Sequence, residues 1–181
     1  MKSFLFFLCT GIMATCHSQE RFLTKTGSIN FEASVSSFEP VAATNNSVTA
    51  IIDPDTGNIG VLALVKAFRF KNALMEEHFN ENYAESFKFP KAVLKGKILE
   101  FSLDELSETA TEKILEAQLT FHGITKSLKI SIQVSRKGNS VYIVSNFVLF
   151  PEDFDIDIPA IVQEKVADEI QVKVDLYLSK K

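Results

Sequence analysis

From Thr26 onward, apolar and polar side chains alternate with a period of two. Ile29, Phe31, Ala33 and Val35 alternate with Ser28, Asn30, Glu32 and Ser34, which puts one apolar and one polar face on an extended strand. Val48, Ala50 and Ile52 repeat the pattern, Asp53-Pro54-Asp55-Thr56-Gly57 breaks it with turn residues, and Ile59, Val61, Ala63 and Val65 resume it. That spacing predicts a hairpin. By the same logic Ala117, Leu119 and Phe121, a break at His122-Gly123, and Leu128, Ile130, Ile132 and Val134 predict a second two-strand unit. Val141, Ile143, Ser145, Phe147 and Leu149 follow the turn at Lys137-Gly138-Asn139. The last strand is the clearest, with Ile170, Val172, Val174, Leu176 and Leu178 set against Gln171, Lys173, Asp175, Tyr177 and Ser179.

Two segments have a helical period instead. Asn72 is placed to cap a helix in which Leu74 faces His78, and Met75, Phe79 and Tyr83 recur at spacings of four as one apolar stripe. A second short helix is predicted after Pro159, with Val162 and Val166 on one side and Gln163, Glu164 and Lys165 on the other. Both read as connections or lids. Residues 104–113 are polar and mostly acidic and read as an exposed loop. Many short strands with only two helical interruptions indicate an all-β antiparallel sandwich or barrel of about eight strands. A barrel of that size either fills its interior with side chains or holds one ligand. Phe68 and Phe70, and again Phe87 and Phe89, would share a face if extended.

Composition removes several function classes. The 181 residues carry 19 Lys plus Arg against 23 Asp plus Glu, a formal charge of −4, and no basic run provides a nucleic-acid footprint. Both cysteines, Cys9 and Cys16, precede the globular body, which therefore has no thiol for a disulfide, a metal or nucleophilic attack. Only 7 residues are Gly, and no glycine-rich phosphate cradle is found. No internal repeat or linker supports a second domain.

Lys2 precedes an apolar run of about a dozen residues ending at Met13-Ala14, the shape of a secretory signal peptide and short of the roughly 20 residues that span a bilayer. Cleavage after Ser18 would leave residues 19–181 as a single periplasmic or secreted domain. The alternatives are lipidation at Cys16, where Met13-Ala14-Thr15-Cys16 loosely resembles a lipobox, and an apolar first strand or helix.

Three segments resemble the YceI-like lipid-binding family. Leu74-Met75-Glu76-Glu77-His78-Phe79, with Tyr83-Ala84-Glu85-Ser86-Phe87-Lys88-Phe89-Pro90-Lys91-Ala92, is similar to that family's acidic-His helix and the Phe-Pro strand after it. Leu119-Thr120-Phe121-His122-Gly123-Ile124-Thr125-Lys126 is similar to its hairpin. Phe154-Asp155-Ile156-Asp157-Ile158-Pro159 and the terminal strand resemble its closing section, with Asp155 where the family often has Gly. The resemblance implies an eight-stranded antiparallel, lipocalin-like barrel with one or two short helical insertions. It also implies an apolar pore for a polyisoprenoid, such as an isoprenoid quinone or related amphiphile, with no catalysis and no cofactor beyond that lipid.

Physical chemistry supports a carrier of that kind. Each buried CH₂ contributes about 0.8 kcal/mol, so a prenyl tail in water needs shielding. A few isoprene units would nominally pass the practical limit of about −20 kcal/mol, so ordering the tail must offset much of the gain. Dispersion has no direction, and broad tail specificity follows. Strand phase and apolar type select Phe31, Val61, Ala63, Phe68, Phe70, Phe87, Phe89, Leu119 and Phe121 as pore residues, against the alternative of a filled core. His78 and His122 lack the further partners a zinc site or a Ser-His-Asp triad needs. They read as a helix-face histidine and a hairpin-end histidine that bonds backbone. Asp153, Asp155, Asp157 and Glu164 mimic calcium-loop spacing, but Ile158 stands where the loop needs Gly. They read as a solvated rim that keeps anionic head groups out of the lumen. The partners expected are a long-chain lipid and at most a second copy of the chain, with no nucleic acid and no transmembrane span. The rivals are a filled barrel acting as a protein-interaction module and an enzyme for an apolar substrate.

Overall fold

Among the described residues, nine strands form one antiparallel sheet: β1 (Phe22–Ser34), β2 (Ala42–Ile52), β3 (Asn58–Leu64), β4 (Arg69–Phe70), β5 (Lys91–Ile98), β6 (Thr111–Phe121), β7 (Ile124–Lys137), β8 (Ser140–Leu149) and β9 (Val166–Lys180). The computed structural model describes residues 20–35 and 39–181. The expected leader, residues 1–18, lies outside the described residues together with Cys9 and Cys16. Eight strands close a ring in the order β1-β9-β8-β7-β6-β5-β3-β2, and β2 returns to β1 through pairs such as Phe22↔Ile52 and Phe31↔Ala43. The two-residue β4 adds to β2 outside this ring through Ala43↔Phe70. This is the closed eight-stranded barrel expected, with one extra strand.

The turns form where the sequence supplies the right residues. Asp53 accepts the Asp55 and Thr56 amides on its Oδ1 at 2.9 and 3.2 Å, and Gly57 takes a φ of 71° that a side chain would resist. At the β6–β7 hairpin, His122 and Gly123 both have positive φ, 48° and 77°, so a two-residue loop joins the pair Phe121↔Ile124.

Because the strands are antiparallel, the connections fall at two ends. Residues 65–90, 122–123 and 150–165 cross one end, and both helices, α1 (Ala73–His78) and α2 (Ala160–Gln163), lie there. Asn72 caps α1 as its sequence position predicts, accepting the Leu74 amide at 2.9 Å. The chain then widens into a π turn (Phe79–Tyr83) that ends the stripe. The second helix stops at Gln163, and Val166, assigned to it by period, instead opens β9. The acidic stretch 104–113 is loop only to residue 110, since β6 starts at Thr111.

The opposite end is solid. Phe22, Ile52, Ile98, Leu106, Val134, Val141 and Leu178 are buried there, from the start of β1 and β8, the far ends of β2, β5, β7 and β9, and the 99–110 connection. Close-packed side chains at this end block the lumen, so any open space lies in the other half.

Candidate functional site

Above that plug the barrel is hollow. A cavity of about 370 Å³, inside the roughly 300–1,000 Å³ usual for small-molecule sites, starts from a floor of Ile59, Leu115, Ile132, Ile143 and Leu176. Its wall consists of the inward residues of the strands, including Ile29, Phe31, Val61, Ala63, Ala92, Leu94, Leu119, Phe147, Val172 and Val174. The helical connections roof it with Phe68, Phe70, Met75 and Phe79 from one segment and Phe154, Ile156, Ile158 and Val162 from the other. His78 and Lys165 are exposed and also border the cavity, so it reaches the surface at this end.

Four phenylalanines organise the mouth. The Phe31 ring on β1 lies 5.3 Å from Phe68, 5.7 Å from Phe70 and 5.4 Å from Phe79, and Phe70 and Phe79 are 5.2 Å apart. All these pairs are tilted or edge-on, the geometries aromatic rings favour. The cluster joins the barrel wall to the segment that covers it, and one face of each member borders the void.

A polar clasp holds the cover on the outside. His122 is nearly buried, with 11% of its side chain exposed. Its Nδ1 lies 2.8 Å from the Phe154 carbonyl and its Nε2 lies 2.8 Å from Glu85 Oε2. Both partners are acceptors, so the arrangement is complete when each ring nitrogen carries a hydrogen. One hairpin-end ring thereby ties together residues 84–90 and residues 151–158, the flanks of both covering segments. Lys126 reinforces the second through Asp153 at 2.9 Å. The backbone partner expected for His122 is present, while Glu85 adds a partner that sequence reasoning did not supply.

Seven of the nine residues selected from sequence line the cavity: Phe31, Val61, Ala63, Phe68, Phe70, Leu119 and Phe121. Phe87 and Phe89 do not, and this corrects their placement. Glu85 has φ of 41°, and the Lys88 and Phe89 amides both donate to its carbonyl, at 2.8 and 2.9 Å. Residues 86–89 therefore turn rather than extend, and alternation has no meaning there. Phe87 is 85% exposed, with Lys66 Nζ 3.1 Å from its ring centre. Phe89 packs edge-on against His122 at 4.5 Å, where it supports the clasp from outside. Phe79, Phe154, Ile156 and Ile158 line the cavity without having been selected, although the alternation of Phe154, Ile156 and Ile158 with Asp155 and Asp157 carries that signal. Asp155 and Asp157 are exposed.

Among the described residues, no cluster of three or more His, Cys, Asp or Glu side chains could hold a metal, and no helix is long and apolar enough to cross a membrane.

The barrel resembles several solved structures. A polyisoprenoid binding domain from Saccharophagus degradans, implicated in plant cell wall breakdown, superposes with a TM-score of 0.77 at 12% identity, covering 89% of this chain and 98% of that one. Burkholderia cenocepacia BcnA gives a TM-score of 0.68 at 15% identity, covering 84% and 96%. The Campylobacter jejuni YCEI protein gives 0.59 at 14% identity, covering 75% and 81%. Identities this low establish shared fold. Comparison with curated protein sequences found no match. A family model, the YceI-like domain, matches residues 13–178, spanning the barrel, its roof and the clasp, and the chain belongs to the YceI-like family.

Proposed function

We propose that this chain is a non-catalytic lipid-binding protein that sequesters or carries an amphiphile with a long apolar tail, a polyisoprenoid or a chain of similar cross-section. The observation that carries the reading is the cavity: a hollow half-barrel walled by aliphatic and aromatic side chains, closed below and reaching the surface above. Burying about 0.8 kcal/mol per CH₂ there is how an aqueous protein keeps such a tail dispersed. The likeness to a polyisoprenoid binding domain supports the same ligand class. The wall is poorly equipped for catalysis, since its deeper polar side chain, Ser145, spends its hydroxyl donating to the Ser131 carbonyl at 2.8 Å. A void of this size also argues against a filled barrel acting only as an interaction module. In this reading residues 1–18 direct the chain to the periplasm or the exterior and are removed, and a monomer suffices because one chain completes the cavity.

The test is to purify the protein without detergent, extract it with organic solvent and weigh the extract by mass spectrometry. A long-chain lipid near one per protein is expected. Protein that yields no lipid, and takes up none when offered prenyl or acyl chains, would overturn the proposal.

A further inference from the structure

The cavity lining is polar at four side chains, Ser145, His78, Tyr83 and Lys165. Ser145 lies in the β8 wall and is occupied by Ser131. The other three all belong to the roof: His78 ends α1, Tyr83 ends the π turn, and Lys165 follows α2. None of these three side chains has a hydrogen-bond or ion-pair partner among the described residues. Their neighbours at this end differ, because Arg69 is held by Glu76, Lys88 by Glu85 and Lys126 by Asp153. An amphiphile placed with its tail toward the plug therefore meets all its free polar contacts at the mouth.

Resting on the lipid-binding reading, we propose that the ligand's head group is an anion, a phosphate or a carboxylate, held at the mouth by Lys165 together with His78 and Tyr83. An ammonium bordering an apolar cavity loses part of its hydration when a tail slides past it. Charge-assisted hydrogen bonds to an anionic oxygen compensate that loss, and they are about twice as strong as those a neutral carbonyl or hydroxyl can offer. Tyr83 and His78 are the other free polar groups that the roof contributes to the cavity lining. The acidic residues nearby, Asp155, Asp157 and Glu164, are exposed and do not line the cavity. Being exposed, they interact with the head group through water and salt, which weakens their repulsion, whereas Lys165 borders the cavity itself. The anion thus stays out of the lumen and is still bound.

The experiment compares three ligands that share one tail, geranylgeraniol, geranylgeranyl monophosphate and geranylgeranoic acid, by displacement of an apolar fluorophore from the full chain. The two anions are expected to bind about tenfold tighter than the alcohol. Lys165→Met should erase that gap, and Lys173→Met, an exposed residue on β9 outside the cavity, should keep it. A gain confined to one anion supports the site and identifies its source as prenyl phosphate or as a fatty-acid-like chain. Equal affinity for alcohol and anions, or an undiminished gap in Lys165→Met, overturns the head-group assignment and leaves lipid binding standing. Failure of all three to bind overturns the lipid-binding reading itself.

Discussion

His122 Nε2 and Glu85 Oε2 lie 2.8 Å apart, bridging a β-hairpin tip and the turn that follows the first covering segment. The other ring nitrogen holds the Phe154 carbonyl at the same distance, so a single side chain anchors both halves of the roof to the barrel rim. His122→Gln keeps one polar bond at best and loses the two-sided grip. Since a hydrogen bond to a charged group contributes about 1.5–3 kcal/mol and Glu85 is partly solvated, a loss of about 2 kcal/mol in urea unfolding is expected. The more telling readout is hydrogen exchange, which should accelerate in residues 84–90 and 151–158 together. Acceleration in one segment alone would show that the clasp is not shared.

Phe79 occupies the centre of the aromatic cluster, within 5.2–6.1 Å of Phe70, Phe31 and Phe68. Phe79→Ala removes the ring that connects wall and roof and should cost about 3–5 kcal/mol if the site stays empty. A bound tail would fill part of the gap, so the loss should shrink in lipid-loaded protein. Thermal unfolding with and without a prenyl alcohol measures the difference. An identical cost in both states would place Phe79 outside the bound chain's path.

Ala63 is 2% exposed and borders the void from β3, where it pairs with Ala92 on β5. Two small residues side by side set the width of the cavity at that level. Ala63→Leu fills space instead of forcing neighbours apart, so stability should change by less than about 1.5 kcal/mol. The bound lipid should shift toward shorter or thinner tails, read as the chain-length distribution of a mixed prenol pool after extraction. An unchanged distribution would mean that the tail does not reach Ala63.

Phe87 and Phe121 separate what the sequence made legible from what it hid. Both look like pore residues, being Phe at strand-like spacing, but a period of two carries information only where the backbone is extended. It is extended at Phe121, in the well-alternating β6, and not at Phe87, where a left-handed Glu85 bends the chain. Strands with uninterrupted alternation, such as β9, and turns built on Gly57 or Gly123 were readable residue by residue. In β5, Lys91, Lys95, Gly96 and Lys97 leave the alternation to Ala92, Leu94 and Ile98, too little to predict a strand. Its Gly96 is needed for packing instead, since a Cβ there would sit 2.5 Å from the Glu116 carbonyl oxygen. The clasp was invisible because it joins residues 85, 122 and 154, whose proximity is a product of ring closure. Phe87→Ser accordingly should lose no more than about 1 kcal/mol, the scale of an exposed cation–π contact with Lys66, and leave lipid content unchanged. Lipid loss in that variant would point to a role for Phe87 that its position does not explain.

The division of the barrel into a plugged half and a hollow half makes stability and binding separable. Phe22 and Leu178 are 1% and 0% exposed, pack at the closed end and touch no part of the cavity. Leu178→Ala should cost about 2–5 kcal/mol, because a rigid plug relaxes only partly around the space left behind. The tail never descends that far, so affinity for a prenyl ligand under strongly native conditions should stay within about twofold of the unaltered chain. Leu119→Arg is the opposite case. Leu119 borders the upper cavity on β6, where a long side chain can carry its charge toward the mouth. Unfolding should then remain cooperative while lipid recovery falls. If instead Leu178→Ala released the lipid as completely as Leu119→Arg, the closed end would be part of the binding path, and the lumen would have to open along its full length when loaded.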